Sequence, residues 1–236
     1  MSKNSGFKKL GKGLAGAVAI ASGTSAYGAI VVVATPADLT NSPGGANTTA
    51  NWNVDGIGGF DFTFNNRFPN TAPGNYGVVW QQNMNPFTGT SGTNNLVSYS
   101  GPFVRYAFAL AAGFSVGPGN PDFSTGLTQV VLGSKYSYGV NGTYYYGGFA
   151  ANGPNGSVAP GTFAFVGFQF TAPDGLHYGW VRLAVNAGLI DFDSAAYEST
   201  PNTAIQMGAV PEPGTMGLLA LGAAGVLGAV IKRRRA

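Results

Sequence analysis

Apolar and polar residues alternate over many short stretches of the chain. In residues 59–64, Phe60, Phe62 and Phe64 fall on one side, and polar Asp61 falls on the other. A period of two is typical of a β-strand with one buried face. Further short runs of strand-like residues occur at 78–81, 96–99, 104–110 and 128–132. The pattern therefore predicts several short strands and little helix.

The clearest hairpin is predicted in the second half of the chain. Residues 162–171 place Phe163 and Phe165 on the face opposite to Val166 and its even-numbered neighbours. A turn at 172–175 contains Asp-Gly, a common hairpin dipeptide, and an apolar run from 177 to 185 follows it. Both runs are partly apolar on two faces, which predicts central strands.

Two more short strands are predicted at 189–193 and 203–207, with a connection over 194–201. The stretches 113–120 and 152–161 are rich in Gly, Pro and Asn and are predicted to be loops. Many short strands with frequent turns and no fixed repeat predict an all-β domain over residues 29–208. We expect a two-sheet antiparallel sandwich of the jelly-roll or lectin-like kind.

The N-terminal residues 1–28 have the layout of a secretory signal peptide. Four lysines, the last of them Lys12, precede an apolar run that begins at Leu14, and small residues follow. We expect this signal helix to be removed, with the new N-terminus between residues 27 and 30.

The C-terminal residues 209–236 form a second targeting segment with three parts. The triplet Pro211, Glu212 and Pro213 is stiff, because proline restricts its own backbone and that of the preceding residue. An uncharged run follows and predicts a transmembrane helix over 215–231. A basic cluster ends the chain and is expected to hold it in the cytoplasm, as Lys232, Arg233, Arg234 and Arg235.

This order of motif, apolar helix and basic end resembles the PEP-CTERM sorting signal of bacteria that carry exosortases. Stretches at 165–170, 177–185 and 196–213 are similar, more loosely, to the final strands of proteins with this tail. The resemblance implies that an exosortase-type membrane protease cuts near Pro211, Glu212 and Pro213. It also implies that the upstream domain reaches the cell surface or the exopolysaccharide matrix after transient anchoring in the membrane. The alternative is a plain C-terminal membrane anchor.

Charge and composition exclude several classes of function. Without its two ends the chain has four basic and eight acidic residues, a net charge of −4, so we expect no nucleic-acid partner. The absence of cysteine excludes disulfides and Cys-ligated zinc. We expect no cofactor.

The sequence holds no convincing catalytic group. His177 is the only histidine, and its place in a predicted strand favours a structural role over Ser-His-Asp catalysis. Glu198 is expected to be structural, with Arg182 as one candidate partner on a neighbouring strand. Asp191 and Asp193 share a face of a predicted strand and are either solvated or weak candidates for Ca²⁺ ligands. We therefore expect a protein that is not an enzyme.

A tyrosine cluster is the best candidate for a binding surface. Its members are Tyr136, Tyr138, Tyr144, Tyr145 and Tyr146. Phenol rings stack on sugars, which makes a carbohydrate-binding module for exopolysaccharide the alternative to a purely structural surface or matrix protein. Cross-strand tyrosine pairs that stabilise a glycine-rich sheet are the simpler explanation. A secreted hydrolase is the third hypothesis.

Overall fold

The computed structural model describes residues 29–69, 71, 75–87, 93–101, 104–120, 122–123, 129–150 and 158–211. The predicted signal helix, the predicted transmembrane helix and the basic cluster therefore lie outside the described residues. In the described part of the chain, no helix has the length and apolar character needed to cross a membrane.

The described residues confirm the all-β prediction. The strands in chain order are β1 (Ile30–Val33), β2 (Leu39–Thr40), β3 (Thr48–Trp52), β4 (Phe62–Arg67), β5 (Tyr76–Pro86), β6 (Asn95–Leu96), β7 (Ser98–Ser100), β8 (Arg105–Ala107), β9 (Ser115–Val116), β10 (Val130–Tyr138), β11 (Thr143–Tyr146), β12 (Ala164–Ala172), β13 (Gly175–Asn186), β14 (Leu189–Glu198) and β15 (Ile205–Gln206). A short 3-10 turn over Gly139–Asn141 joins β10 to β11.

Thirteen of the strands form two packed sheets, and β9 and β15 form a separate two-stranded sheet, so the sandwich prediction holds in outline. The first sheet has the order β1-β14-β13-β12-β6, and β2 also pairs with β14. The second has the order β3-β4-β5-β10-β8-β7, and β11 also pairs with β10. The pairing of β8 with β10 is parallel, which departs from the predicted antiparallel arrangement. The jelly-roll or lectin-like assignment stays a prediction.

Aromatic side chains from both sheets fill the space between them. Trp52 and Phe62 of the second sheet contact Phe168 of the first, with ring centroids 5.4 and 5.2 Å apart. All three side chains are almost fully buried. Burial of a large apolar side chain contributes about 1.5–3 kcal/mol, so this inter-sheet contact is a main source of stability.

The predicted alternation at 59–64 is correct for Phe62 and Phe64 and wrong for Phe60 and Asp61. Phe60 is 43% exposed, whereas Asp61 is buried. The reason is that β4 begins only at Phe62, and that the Asp61 carboxylate accepts a hydrogen bond of 2.8 Å from the Val54 N–H. Burial raises the pKa of Asp61, and the Val54 hydrogen bond opposes this shift.

The predicted hairpin is confirmed as β12 and β13, which pair antiparallel from Ala164↔Leu183 to Ala172↔Gly175. Both strands are central, as expected from their apolar faces. Gly179 brings β13 close to the core, because a Cβ atom there would lie 2.4 Å from the Phe168 ring. Gly179 therefore leaves the space on β13 that the Phe168 ring occupies.

The connection predicted at 194–201 is wrong in its first half, because β14 continues to Glu198. The pairing of β13 with β14 shifts by one residue between Arg182 and Leu183, which places a β-bulge at Asp193. The predicted strand at 203–207 is present but shorter, as β15. Its partner β9 lies inside the stretch 113–120, which was predicted to be a loop.

A second apolar cluster covers the outer face of the first sheet. We call it the outer cluster; its buried members are Val97, Leu110, Val116, Phe165, Tyr178, Trp180, Ala196, Ile205 and Met207. Residues 203–209, named the C-terminal strap, run across this face with Ile205 and Met207 buried. The last strand of the domain is therefore fixed by side-chain burial as well as by its pairing with β9.

Candidate functional site

The hairpin of β10 and β11 brings four of the five predicted tyrosines onto one face. Tyr136 lies opposite Tyr144 in the strand register. The Tyr138 and Tyr144 rings meet edge to face with centroids 5.4 Å apart. The Tyr146 hydroxyl donates a hydrogen bond of 3.0 Å to the Tyr138 hydroxyl. The proposed cross-strand pairs therefore exist.

The fifth tyrosine lies on the opposite face of the same hairpin. Tyr145 packs against the core between the sheets, with its ring centroid 6.2 Å from that of Trp80. The Lys135 ammonium lies 5.4 Å from the centre of the same ring. Tyr145 is thus separated from the other four and does not share a surface with them.

Three further tyrosines, which the sequence analysis missed, extend this surface. Tyr76 of β5 lies opposite Tyr138. Tyr106 of β8 stacks on Tyr146 with ring centroids 6.3 Å apart, and Tyr99 of β7 packs 5.5 Å from Tyr106. The tyrosine face is defined here as Tyr76, Tyr99, Tyr106, Tyr136, Tyr138, Tyr144 and Tyr146. No local signal connects these residues, because they come from five different strands spread over residues 76–146.

Two phenol groups of the tyrosine face have raised pKa values and are neutral at physiological pH. The hydrogen bond with Tyr138, and then burial, raise the pKa of Tyr146 to about 12. Burial, with a smaller effect of Tyr106, raises the pKa of Tyr99 to about 12. Neutral hydroxyls both donate and accept hydrogen bonds.

Exposure divides the tyrosine face into a rim and a packed centre. Tyr76 is 70% exposed and Tyr144 is 50% exposed, whereas Tyr106 is 6% exposed. The Tyr99 hydroxyl is buried and has no hydrogen-bond partner among the described residues. Ring faces for stacking are therefore available at the rim, while the centre holds the strands together.

His177 is buried and its two ring nitrogens are both occupied. Nδ1 lies 2.8 Å from the backbone oxygen of Glu198, and Nε2 lies 2.9 Å from a carboxylate oxygen of Asp174. The hydrogen bond with His177 lowers the pKa of Asp174. This geometry ties the β12–β13 turn to the end of β14, which agrees with the structural role expected of His177.

The expected pairing of Glu198 with Arg182 is wrong. Arg182 pairs with Asp193 at 2.8 Å instead, because the strand register places Ser194 opposite Arg182 and Glu198 four residues farther along. The Glu198 carboxylate is buried and accepts a hydrogen bond of 2.9 Å from the Thr200 N–H. Glu198 is thus a buried capping group at the strand end.

The two candidate Ca²⁺ ligands have different surroundings. Hydrogen bonds from Ser194 and Arg182 lower the pKa of Asp193. Burial, then the charges of Asp38 and Asp193, raises the pKa of Asp191. Within the described ranges, no group of three or more His, Cys, Asp or Glu side chains is arranged to hold a metal ion. Asp193 is thus engaged in a salt bridge, while Asp191 lies near a second carboxylate, that of Asp38.

The processing motif begins where the folded domain ends. Ala209 still packs against the outer cluster, and its N–H donates a hydrogen bond of 3.0 Å to the Gln206 carbonyl. Val210 is 60% exposed, and Pro211 after it is exposed as well. Glu212 and Pro213 lie outside the described residues. A single residue therefore separates the last packed residue from the motif.

The family model of the PEP-CTERM protein-sorting motif matches residues 209–235. No curated protein and no solved structure matches the chain. The chain thus carries a PEP-CTERM sorting motif, which indicates export, processing by an exosortase and sorting to the cell surface or the extracellular space.

Proposed function

We propose that this chain is a non-enzymatic structural protein of the cell surface or the exopolysaccharide matrix. Its signal peptide starts export, its C-terminal helix anchors it transiently, and an exosortase-type protease cuts near Pro211, Glu212 and Pro213. The observation that carries the proposal is the junction between fold and motif, where packing ends at Ala209 and the sorting motif matches from residue 209. Cleavage there would leave every described strand in the released domain.

The surroundings of the polar groups support a non-enzymatic role. Both nitrogens of His177 are held by neighbouring oxygens, and Asp193 is held by Arg182 and Ser194. A general base needs a free lone pair that faces the substrate, and a nucleophile needs a base beside it. These groups instead join strand ends and turns.

Replacement of Pro211, Glu212 and Pro213 by alanine tests the proposal. We expect the variant to remain in the inner membrane of the native host with its C-terminal segment intact, because the protease would lose its recognition element. Gln206→Ala is the matched control, since it changes an exposed residue just before the matched stretch 209–235 and should leave processing unchanged. Immunoblots of membrane and culture fractions give the measurement.

Normal release of the triple-alanine variant would contradict the proposed cleavage. A chain that ends at residue 211 should be exported and soluble without any processing. If that shortened chain stays in the membrane fraction, anchoring depends on some other part of the protein, and the proposed role of the C-terminal helix fails.

Carbohydrate binding is the second candidate function, and the rim of the tyrosine face favours it. The exposed rings of Tyr76 and Tyr144 offer apolar faces beside neutral hydroxyls, which suits stacking on sugar rings and hydrogen bonding to their hydroxyls. The ligand would be the exopolysaccharide of the cell that exports the protein.

A binding screen on purified exopolysaccharides tests this second function. If the tyrosine face binds sugar, we expect Tyr144→Ala to weaken binding by about tenfold, which corresponds to about 1.4 kcal/mol. Tyr145→Phe is the matched control, because Tyr145 points to the core and should not affect binding. Equal affinities of the two variants would place any sugar site elsewhere.

A further inference from the structure

Both ends of the domain lie on the outer face of the first sheet. In β1, Val32 is paired with Ala196 of the outer cluster, so Val32 and Ile30 point to that face. At the other end, Ile205 and Met207 of the C-terminal strap are buried in the same cluster. The residues that follow the predicted signal peptide and those that precede the sorting motif thus occupy one side of the sandwich.

The connection from this face to the predicted transmembrane helix is short. Three backbone hydrogen bonds of 2.8–3.0 Å hold the strap, with Met207 bonded to Gly113 and Phe114, and Ala209 bonded to Gln206. Only five residues separate Ala209 from the predicted start of the helix at 215. Five extended residues span at most about 18 Å. The side of the domain that bears the C-terminal strap therefore stays close to the bilayer.

The surface chemistry of this side suits contact with lipid. Val32 is 57% exposed, Phe114 beside β9 is 42% exposed, and Val210 is 60% exposed. Arg182 and Asp193, which border the face, neutralise each other in a salt bridge of 2.8 Å. Exposed apolar side chains with little net charge insert readily at the boundary between headgroups and acyl chains.

We propose that the outer face of the first sheet, with Val32, Phe114 and Val210, rests on the lipid bilayer in the anchored precursor. This orientation rests on the proposed function, since it requires the C-terminal segment to span the membrane. The tyrosine face, on the outer side of the second sheet, then points away from the membrane. We infer that the partner is the bilayer surface. The short connection between Ala209 and the predicted helix holds the domain near the lipid from the moment of insertion, before any protease binds.

Single cysteines test the orientation cleanly, because the chain contains no cysteine of its own. Val32→Cys and Phe114→Cys report the proposed contact, and Tyr144→Cys on the tyrosine face is the matched control. Each is made in the full-length chain with alanine at 211–213, which prevents cleavage, and is labelled with an environment-sensitive fluorophore. The precursor is reconstituted into vesicles of phosphatidylethanolamine and phosphatidylglycerol that contain a lipid-borne quencher.

We expect quenching at positions 32 and 114 to exceed that at 144 by at least threefold. Equal quenching at the three positions, or stronger quenching at 144, would overturn the orientation. Quenching or shielding at 32 and 114 only after addition of the protease would also overturn it, since the face would then bind the enzyme rather than lipid. Extraction of the precursor by carbonate would show that the anchoring itself fails.

A second labelled position near Phe114 shows whether missing quenching reflects an unfolded variant or a missing contact with lipid. Ser115→Cys changes an exposed residue next to Phe114 and removes no buried side chain. Urea unfolding of each labelled protein in the vesicles confirms the fold. If Ser115→Cys folds normally and is not quenched, the proposal is wrong even when Phe114→Cys is unstable.

Discussion

At the scale of single residues, His177 carries the most informative polar contacts. Its two ring nitrogens face two acceptors, the Glu198 carbonyl at 2.8 Å and the Asp174 carboxylate at 2.9 Å. The hydrogen bond with His177 lowers the pKa of the Asp174 carboxyl, which favours an ionised Asp174 beside the ring. Phe170 and Tyr197 pack around the ring with centroids 5.6 and 5.8 Å away.

Asp174 is one contributor to the pH dependence of stability. Its pKa is lower in the folded protein than its ordinary value of 3.8, so its contribution is fully present above that value and is lost as the pH falls below it. We expect the urea midpoint to fall between pH 4 and pH 2, and Asp174→Asn to remove part of that fall. Asp122→Asn, an acid distant in sequence, is the control. Parallel pH profiles for the two variants would contradict the argument.

Truncation of His177 tests its structural role directly. We expect His177→Ala to destabilise the domain by about 2–3 kcal/mol, because it removes two hydrogen bonds and leaves a void between aromatic rings. Chemical denaturation of the soluble domain measures the change. A loss below about 0.5 kcal/mol would show that the contacts of His177 contribute little.

Some residue-level properties were accessible from the sequence and others were not. The strand pattern around His177 was enough to predict a structural side chain. The partner of Arg182 was predicted wrongly, because the register of β13 with β14 places Ser194 opposite Arg182 and Glu198 four residues farther along. The register depends on pairing with a neighbouring strand, and nothing in the local sequence marks it.

At the scale of elements, the β12–β13 hairpin depends on a small residue at one position. A Cβ atom at Gly179 would lie 2.4 Å from the Phe168 ring and 2.8 Å from the Ala196 carbonyl oxygen. The aromatic ring cannot move away, because Phe168 is fully buried against Trp52 and Phe62. The glycine thus allows β13 and β14 to pack beneath the aromatic core.

Gly179→Ala should therefore destabilise the domain. Overpacking of a buried site costs about 1–3 kcal/mol, which we expect as a lower melting temperature. Gly59→Ala is the matched control, because no atom lies within 4 Å of the Cβ position there. Similar melting temperatures for the two variants would mean that the strands separate to accept the extra methyl group.

The sequence predicted the long elements better than the short ones. The β12–β13 hairpin has an extended alternating pattern and an Asp-Gly turn, and both were recognised. The strand β9 has only two residues and was included in a predicted loop. Its position follows from the burial of Val116 beside Ile205, a contact between residues about ninety positions apart.

At the scale of the whole molecule, the two-sheet architecture was predictable, but the strand order was not. Alternating runs and turn residues indicate a sandwich without specifying partners. The parallel pairing of β8 with β10 and the assembly of the tyrosine face from five strands depend on contacts between distant segments. Local periodicity holds no information about such contacts.

The fold makes a definite prediction about the released protein. Because every described strand lies between Ile30 and Gln206, a chain of residues 29–211 should fold without its two ends. Protein shed by the native host should start at residues 27–30 and end at residues 210–213, as measured by intact mass. Material outside the cell that still carries Arg233, Arg234 and Arg235 would contradict this prediction.

The turn between β10 and β11 has a practical consequence. Val140 in this turn is 94% exposed, and the turn lies on the second sheet, away from the face that bears both chain ends. Exposed turns tolerate insertions, because their backbone is not buried in the core. A peptide epitope inserted after Val140 should therefore travel with the domain through export and remain accessible to antibodies on intact cells, which would make this domain a carrier for surface display.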